Sequence, residues 1–258
     1  MSASEYGRPP RSYLAFSACR YLVRATGYDL MMGLFSKSVE TGVLSESPRI
    51  EVIDDFATAD ECAHIIELAR HDMGNASIIK SDGTTTESTL RRTADIGWVY
   101  TDQTPIIRSL VKRASETAGL PIKNCERIQV VHYEAGGKYT PHLDTYRPDP
   151  SNEHYRRAGQ RLKTGLLYLH EPTKGGATSF PKAKAKVKPK VGRLTLFDLV
   201  QPGTAEPDAK AVHAGTPVWS GDKWVCNFWF CERPVPSASR KGRPNSSQKA
   251  TKRRKKRR

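Results

Sequence analysis

Residues 128–144 read IQVVHYEAGGKYTPHLD, and the fold is decided by how they are parsed. Ile128 to Tyr133 is a β-branched and aromatic run of strand length, and Gly136-Gly137 is a turn signal. Pro141 then opens a second extended stretch that runs to Asp144. Residues two apart in a strand share a face, so His142 and Asp144 project together if that stretch is extended. An HxD triplet by itself fits a metal site or an ordinary surface hydrogen-bonded pair, and both readings stand at this point.

Downstream of this stretch the chain keeps the same character. Thr164–Leu169, Arg193–Leu199 and Trp224–Cys231 are short strand candidates separated by Gly and Pro, a density that predicts a sandwich or jelly roll. Upstream, Arg49–Ile53 reads as a strand. Thr58 with Glu61 three residues on forms a capping box for a helix whose stripe is Cys62, Ile65, Ile66 and Ala69. A second helix starts at Thr104 with Pro105 in its first position and ends before Gly119, with Ile106, Ile107, Leu110, Val111 and Ala114 as its apolar face. The fold class expected is mainly β with flanking helices (α+β), the two N-terminal helices lying on one sheet.

Three segments follow: an N-terminal lead over 1–47, a folded domain over 48–236 and a basic tail over 237–258. The chain has 258 residues, 37% of them apolar, and a formal net charge of +15. Eleven Lys or Arg and no acid lie between Ser237 and Arg258, so the rest carries only +4. That tail cannot bury a core and is expected to be disordered. Its end, KRRKKRR over 252–258, has the composition of a nuclear localisation signal or a non-specific nucleic-acid contact. Tyr13–Phe35 is apolar but interrupted by Arg20, Arg24 and Asp29, which excludes a membrane span. No compact uncharged core follows a basic start, which argues against a secretory signal. A mitochondrial or endoplasmic reticulum address, a docking helix and a disordered lead stay open for this segment. The five cysteines (Cys19, Cys62, Cys125, Cys226, Cys231) contain no CxxC pair and no zinc spacing; a reduced intracellular protein is the simplest reading, and one or two disulfides stay open. Cys226 and Cys231 lie on opposite faces of one strand and cannot bridge there.

His213, in AVHAG over 211–215, supplies a second histidine. Two His and one carboxylate make a facial triad, which leaves iron(II) three open positions, whereas a structural zinc would need a fourth protein ligand. Lys223, Val225, Asn227 and Trp229 share one face of the last strand. A cation there is costly to bury unless it meets an anion such as a dicarboxylate. The alternative is a Lys that closes a hairpin in solvent. Lys182, Lys184, Lys186, Lys188 and Lys190 alternate; if extended, they share one face, either as a solvated edge or as a device that steers an acidic peptide or a nucleic acid. Tyr146, Arg147 and His154, in the long stretch after the HxD strand, are candidate substrate contacts. His132 faces away from Tyr133, and His64, His71 and His170 read as surface or packing residues.

Four blocks in order resemble the prolyl 4-hydroxylase family of iron(II)/2-oxoglutarate-dependent dioxygenases. They are QVVHYEAGGKYTPHLD over 129–144, RLKTGLLYLHEPTKGGATSFP over 161–181, VKPKVGRLTLFD over 187–198 and VHAGTPVWSGDKWVCNFW over 212–229, with Arg92-Thr93 ahead of them. The resemblance implies a double-stranded β-helix, or jelly-roll, barrel. It implies His142, Asp144 and His213 as iron ligands and Lys223 as the partner of the distal carboxylate of 2-oxoglutarate. Tyr133 and Thr178 would hydrogen-bond near that end, with Asn227 and Trp229 nearer the metal. The implied reaction hydroxylates a prolyl residue of a peptide or protein, consumes O2 and 2-oxoglutarate, releases succinate and carbon dioxide, and uses L-ascorbate as reductant. The competing readings are the same chemistry on a nucleic acid or another side chain, and a non-catalytic nuclear binding module.

Overall fold

A computed structural model describes residues 42–71, 73–75, 77–79, 85–87, 92–149, 151–235 and 238. The Tyr13–Phe35 segment, Cys19 and the KRRKKRR run lie outside the described residues.

The first strands are β1 (Gly42–Glu46), β2 (Arg49–Ile53), β3 (Gly74–Asn75), β4 (Ser77–Ile79), β5 (Thr85–Glu87) and β6 (Asp95–Val99). Then come β7 (Ile128–Tyr133), β8 (Tyr139–His142), β9 (Arg161–His170), β10 (Lys174–Gly175), β11 (Thr178–Phe180) and β12 (Ala185–Val187). The last four are β13 (Leu194–Asp198), β14 (His213–Gly215), β15 (Val218–Ser220) and β16 (Lys223–Cys231). The helices are α1 (Ala59–Arg70), α2 (Pro105–Ala118) and α3 (Glu153–Ala158). An eight-stranded sheet has the order β1-β2-β13-β9-β16-β7-β6-β3, and a four-stranded sheet the order β12-β11-β14-β8. This is the jelly-roll arrangement, with α1 and α2 on the outer face of the large sheet.

The centre of the large sheet shows why the fold forms. All nine residues of β16 are buried, because β7 and β9 cover its edges and both faces are covered too. Cys226, Phe228 and Phe230 point to the helices, joining Cys62, Ile65, Ala69, Ile107, Leu110 and Val111 in one apolar cluster. Each fully buried Phe there contributes ~1.5–3 kcal/mol. Lys223, Val225, Asn227 and Trp229 point the other way, into the barrel. Phe180, Ala185 and Val187 of the small sheet meet Val131, Tyr168, Phe197 and Val225 of the large one in a second cluster. The site lies between the sheets, beside this second cluster.

Both helix starts follow their sequence signals. Thr58 accepts from the Glu61 amide and Glu61 returns a bond to the Thr58 amide, the reciprocal capping box. Thr104 caps α2, and Gly119 ends it in the left-handed conformation at φ 66°. Three expectations need correction. Regular structure extends upstream of Pro48, because Gly42–Glu46 pairs with β2 as an edge strand. Ile106 is 41% exposed, outside the buried stripe of α2. The HxD strand ends at His142, so Asp144 lies in the following loop and not in a strand. Cys62, Cys125, Cys226 and Cys231 are free thiols, all buried. No helix among the described residues is long and apolar enough to cross a membrane.

Candidate active site

His142 closes β8 and His213 opens β14, and the two residues face each other across the strand pair. Asp144 reaches them from the loop. Its Oδ1 is 3.5 Å from His142 Nε2 and its Oδ2 is 3.6 Å from His213 Nε2. Among the described residues these three form a group of donor atoms that a single metal ion could gather, all within 4.8 Å of one another.

The chemistry of the donors fits a metal. Each imidazole Nδ1 lies against a backbone carbonyl: His142 against Thr140 at 2.9 Å and His213 against Ala211 at 3.1 Å. A carbonyl can only accept, so Nδ1 carries the proton and each Nε2 presents its lone pair to the shared space. Burial holds the His213 imidazole down to about 4, which keeps it neutral, the form that ligates. Burial alone would raise the Asp144 carboxyl, but the histidines and Arg161 outweigh it and hold the group ionised, well below its usual range. Thr164 Oγ1 and Trp229 Nε1 both donate to Asp144 Oδ2, at 2.8 and 2.9 Å, and fix its orientation. Tyr139 stacks on His142 with ring centroids 3.6 Å apart.

A cavity of about 540 Å³ leads from this triad to Lys223. Lys223 is only 3% exposed, so it does not close a hairpin in solvent. Burial pushes its ammonium down to about 7, and among the described residues no carboxylate pairs with it. Its Nζ lies 5.3 Å from the Tyr133 ring centroid and 5.4 Å from that of Tyr168. A buried cation without a counter-ion is costly, and it suits a site completed by the distal carboxylate of 2-oxoglutarate. Thr178 is buried on β11 and accepts a 2.6 Å hydrogen bond from the Tyr168 hydroxyl. Tyr133, Thr178, Asn227 and Trp229 all line the same cavity, with Asn227 Nδ2 3.4 Å from Gln129 Oε1.

Several functional neighbours escaped the sequence reading. Tyr168 and Thr164 share the inward face of β9 with Leu166, so the period-two rule could have found them. Arg161 could not have been read that way. Its guanidinium makes a bidentate pair with Glu126 at 2.8 Å, donates to the Asp144 carbonyl at 3.2 Å and lies 3.6 Å from the Trp229 ring centroid. Of the three proposed substrate contacts, Tyr146 lines the cavity but is buried with its hydroxyl committed to Glu126, and His154 is exposed and stacked on Tyr146 outside the cavity. Arg147 alone remains exposed at the cavity wall. His132 faces outward, as expected, and bonds Asp222.

Residues 128–231 match the model of the 2OG-Fe(II) oxygenase superfamily. The fold and the site therefore define an iron(II)- and 2-oxoglutarate-dependent oxygenase. Prolyl 4-hydroxylase 2 of Arabidopsis thaliana is 34% identical over 208 residues, covering 72% of this chain and 68% of the relative. Prolyl 4-hydroxylase subunit alpha-2 of Gallus gallus is 32% identical over 216 residues, covering 83% of this chain and 39% of that one. Among solved structures, the viral collagen prolyl hydroxylase of Paramecium Bursaria Chlorella virus-1, in its 2OG complex, superposes with a TM-score of 0.56 at 30% identity. That match covers 70% of this chain and 95% of the viral one. The chain belongs to the prolyl 4-hydroxylase family.

Proposed function

We propose that the protein hydroxylates prolyl residues within a peptide or protein, with His142, Asp144 and His213 holding iron(II) and Lys223 holding 2-oxoglutarate. The observation that carries this reading is the convergence of two free imidazole Nε2 atoms and one ionised carboxylate on a cavity that ends at an unpaired buried Lys. When bound, iron and 2-oxoglutarate supply the oxidising power to hydroxylate an unactivated C–H bond, with succinate and carbon dioxide released. O2 as co-substrate and ascorbate as reductant belong to the same proposal.

The chain's own residues orient and exclude. Lys223 neutralises the distal carboxylate, and Tyr133, Tyr168 and Thr178 shape that end. Trp229 and Thr164 keep the Asp144 carboxylate in one rotamer, and Arg161 is held in place by Glu126. Trp98, Tyr139 and Trp229 give the cavity an aromatic wall suited to an apolar pyrrolidine ring. The test is mass spectrometry of proline-containing peptides after incubation with iron(II), 2-oxoglutarate, ascorbate and air, beside succinate release. A mass gain of one oxygen on proline, matched by succinate, is expected; peptide-stimulated succinate without modified proline would assign another substrate. We also propose that the basic tail addresses the protein to the nucleus. Residues 237–258 fused to a fluorescent protein should accumulate there, and a diffuse cytoplasmic signal would refute it.

A further inference from the structure

The turn between β11 and β12 has no part in the reaction derived above. Lys182, Lys184, Lys186 and Lys188 are exposed. Lys190, the fifth of the run, is committed to Asp54 at 3.1 Å, and the other four have no acidic partner among the described residues. The run is not one extended edge: Pro181–Lys184 is a turn with Lys184 at φ 52°, and only Ala185–Val187 is strand. Apart from these four lysines and the eleven basic residues of the tail, the chain is formally neutral.

Register places this turn at the metal end of the barrel. Thr178 pairs with Gly215 and Ser179 with Ala214, so Phe180 comes level with His213, its ring 5.8 Å away between centroids. The chain then continues past that level into Pro181–Lys184. On the other side, β8 leaves the sheet at His142, so the loop that carries Arg147 emerges from the same end. Two strand spacings put the Lys184 backbone ~10 Å from the strand of His213. Most acids nearby are engaged. Asp149 accepts from the Ser151 amide and hydroxyl, Asp208 accepts from the Lys210 amide, and Glu153 pairs with Arg157. Glu206, exposed beside the cavity-lining Pro207, is the opposing charge.

Resting on the prolyl reading of the site, we infer that Arg147, Lys182 and Lys184 form a cationic rim that selects prolyl residues within acidic segments. An acidic side chain about three residues from the target proline spans ~10 Å in extended chain and reaches the rim. Such a rim acts on encounter and register and is screened by salt.

Three peptides with one central proline and Glu, Gln or Lys at the third and fourth positions on either side test this. Hydroxylation is followed by mass spectrometry with wild type and with Lys182→Glu/Lys184→Glu. Wild type should show kcat/KM about tenfold higher for the Glu peptide than for the Gln peptide, lowest for the Lys peptide, with the gap closing at high salt. The double variant should reverse that order while its peptide-independent 2-oxoglutarate turnover is unchanged. Equal values for the three peptides, or an order unchanged in the variant, would overturn the inference alone. Modification of none of them would overturn the prolyl reading and the inference together. A random-sequence oligonucleotide whose binding is lost in the double variant, with no peptide preference, would reassign the rim to nucleic acid.

Discussion

Two histidine–carboxylate–histidine groups sit on different sheets of the barrel, one on the inner face of the small sheet and one on the outer face of the large sheet. Inside, His142, Asp144 and His213 converge on one point of the cavity wall. Outside, His132 Nε2 lies 3.0 Å from Asp222 Oδ2 and His170 Nε2 lies 3.5 Å from Asp222 Oδ1. Trp224 Nε1 also donates to Asp222 Oδ2, at 2.7 Å, and its ring stacks on His132. The difference is in where the lone pairs go. The outer carboxylate is hydrogen-bonded by Trp224 Nε1 and by His132 through Nε2. The inner histidines spend Nδ1 on backbone carbonyls and keep Nε2 open. Residue types alone do not make a metal site; the second bond of each imidazole decides.

The largest expected contrast comes from deleting one member of each group. His213→Ala should abolish iron binding and lower peptide-stimulated succinate formation by ~10³-fold or more, whereas His170→Ala should change turnover by less than about twofold. Retained activity in His213→Ala would erase the distinction drawn between the two groups.

Next is Lys223, the buried cation at the far end of the inner cavity. Lys223→Met should weaken 2-oxoglutarate binding by ~100-fold or more, as read by calorimetry. The same change should stabilise the cosubstrate-free protein by a few kcal/mol near pH 6, because it removes an uncompensated buried charge. The sign with pH follows from the folded value near 7, below the ordinary 10.5. Between those values the unfolded chain binds the extra proton, so wild-type stability rises with pH and the advantage of the variant shrinks from pH 7 towards 10.5. Thermal melts across that range would contradict the account if the gap were constant.

A smaller effect is expected at Trp229. Trp229→Phe keeps a ring beside Arg161 but removes the indole donor to Asp144, and should cost ~10-fold in kcat/KM with the chain still folded. Smallest is Asp222→Asn on the exposed outer group, whose carboxyl is held below its usual value against the opposing effect of burial by Trp224 and the histidines. Its stabilising part is present above the ordinary carboxylate value and is lost as pH falls through the depressed one. The variant should therefore fall below wild type by less than ~1 kcal/mol at pH 7, with the gap narrowing in acid.

Much of this was legible in the sequence, for identifiable reasons. β2, β7 and both helix starts follow from period and capping, and β16 from an apolar run with Lys223, Val225, Asn227 and Trp229 on one face. The triad was legible as HxD plus a distant His, although the geometry that gathers it differs: Asp144 leaves the strand and is pulled to the histidines by Thr164 and Trp229. Arg161 and Glu126 were not legible, because their pairing spans 35 residues and depends on how β9 packs beside the loop after α2. Tyr146 was legible as a residue of the loop beside the cavity, but its burial against Arg161 was not, because that contact depends on how the loop folds back on β9. The lysine run was legible as a solvated edge or as charge that steers an acidic partner, but its place at the metal end of the barrel was not, since only the register of β11 against β14 fixes that.

The central claim is that the inner group, not the outer, is the metal centre. Equilibrium dialysis of iron(II) under argon against wild type, His213→Ala and His170→Ala tests it most directly. One iron per chain is predicted for wild type and His170→Ala and none for His213→Ala. Stoichiometric iron in His213→Ala, or its loss in His170→Ala, would contradict the account.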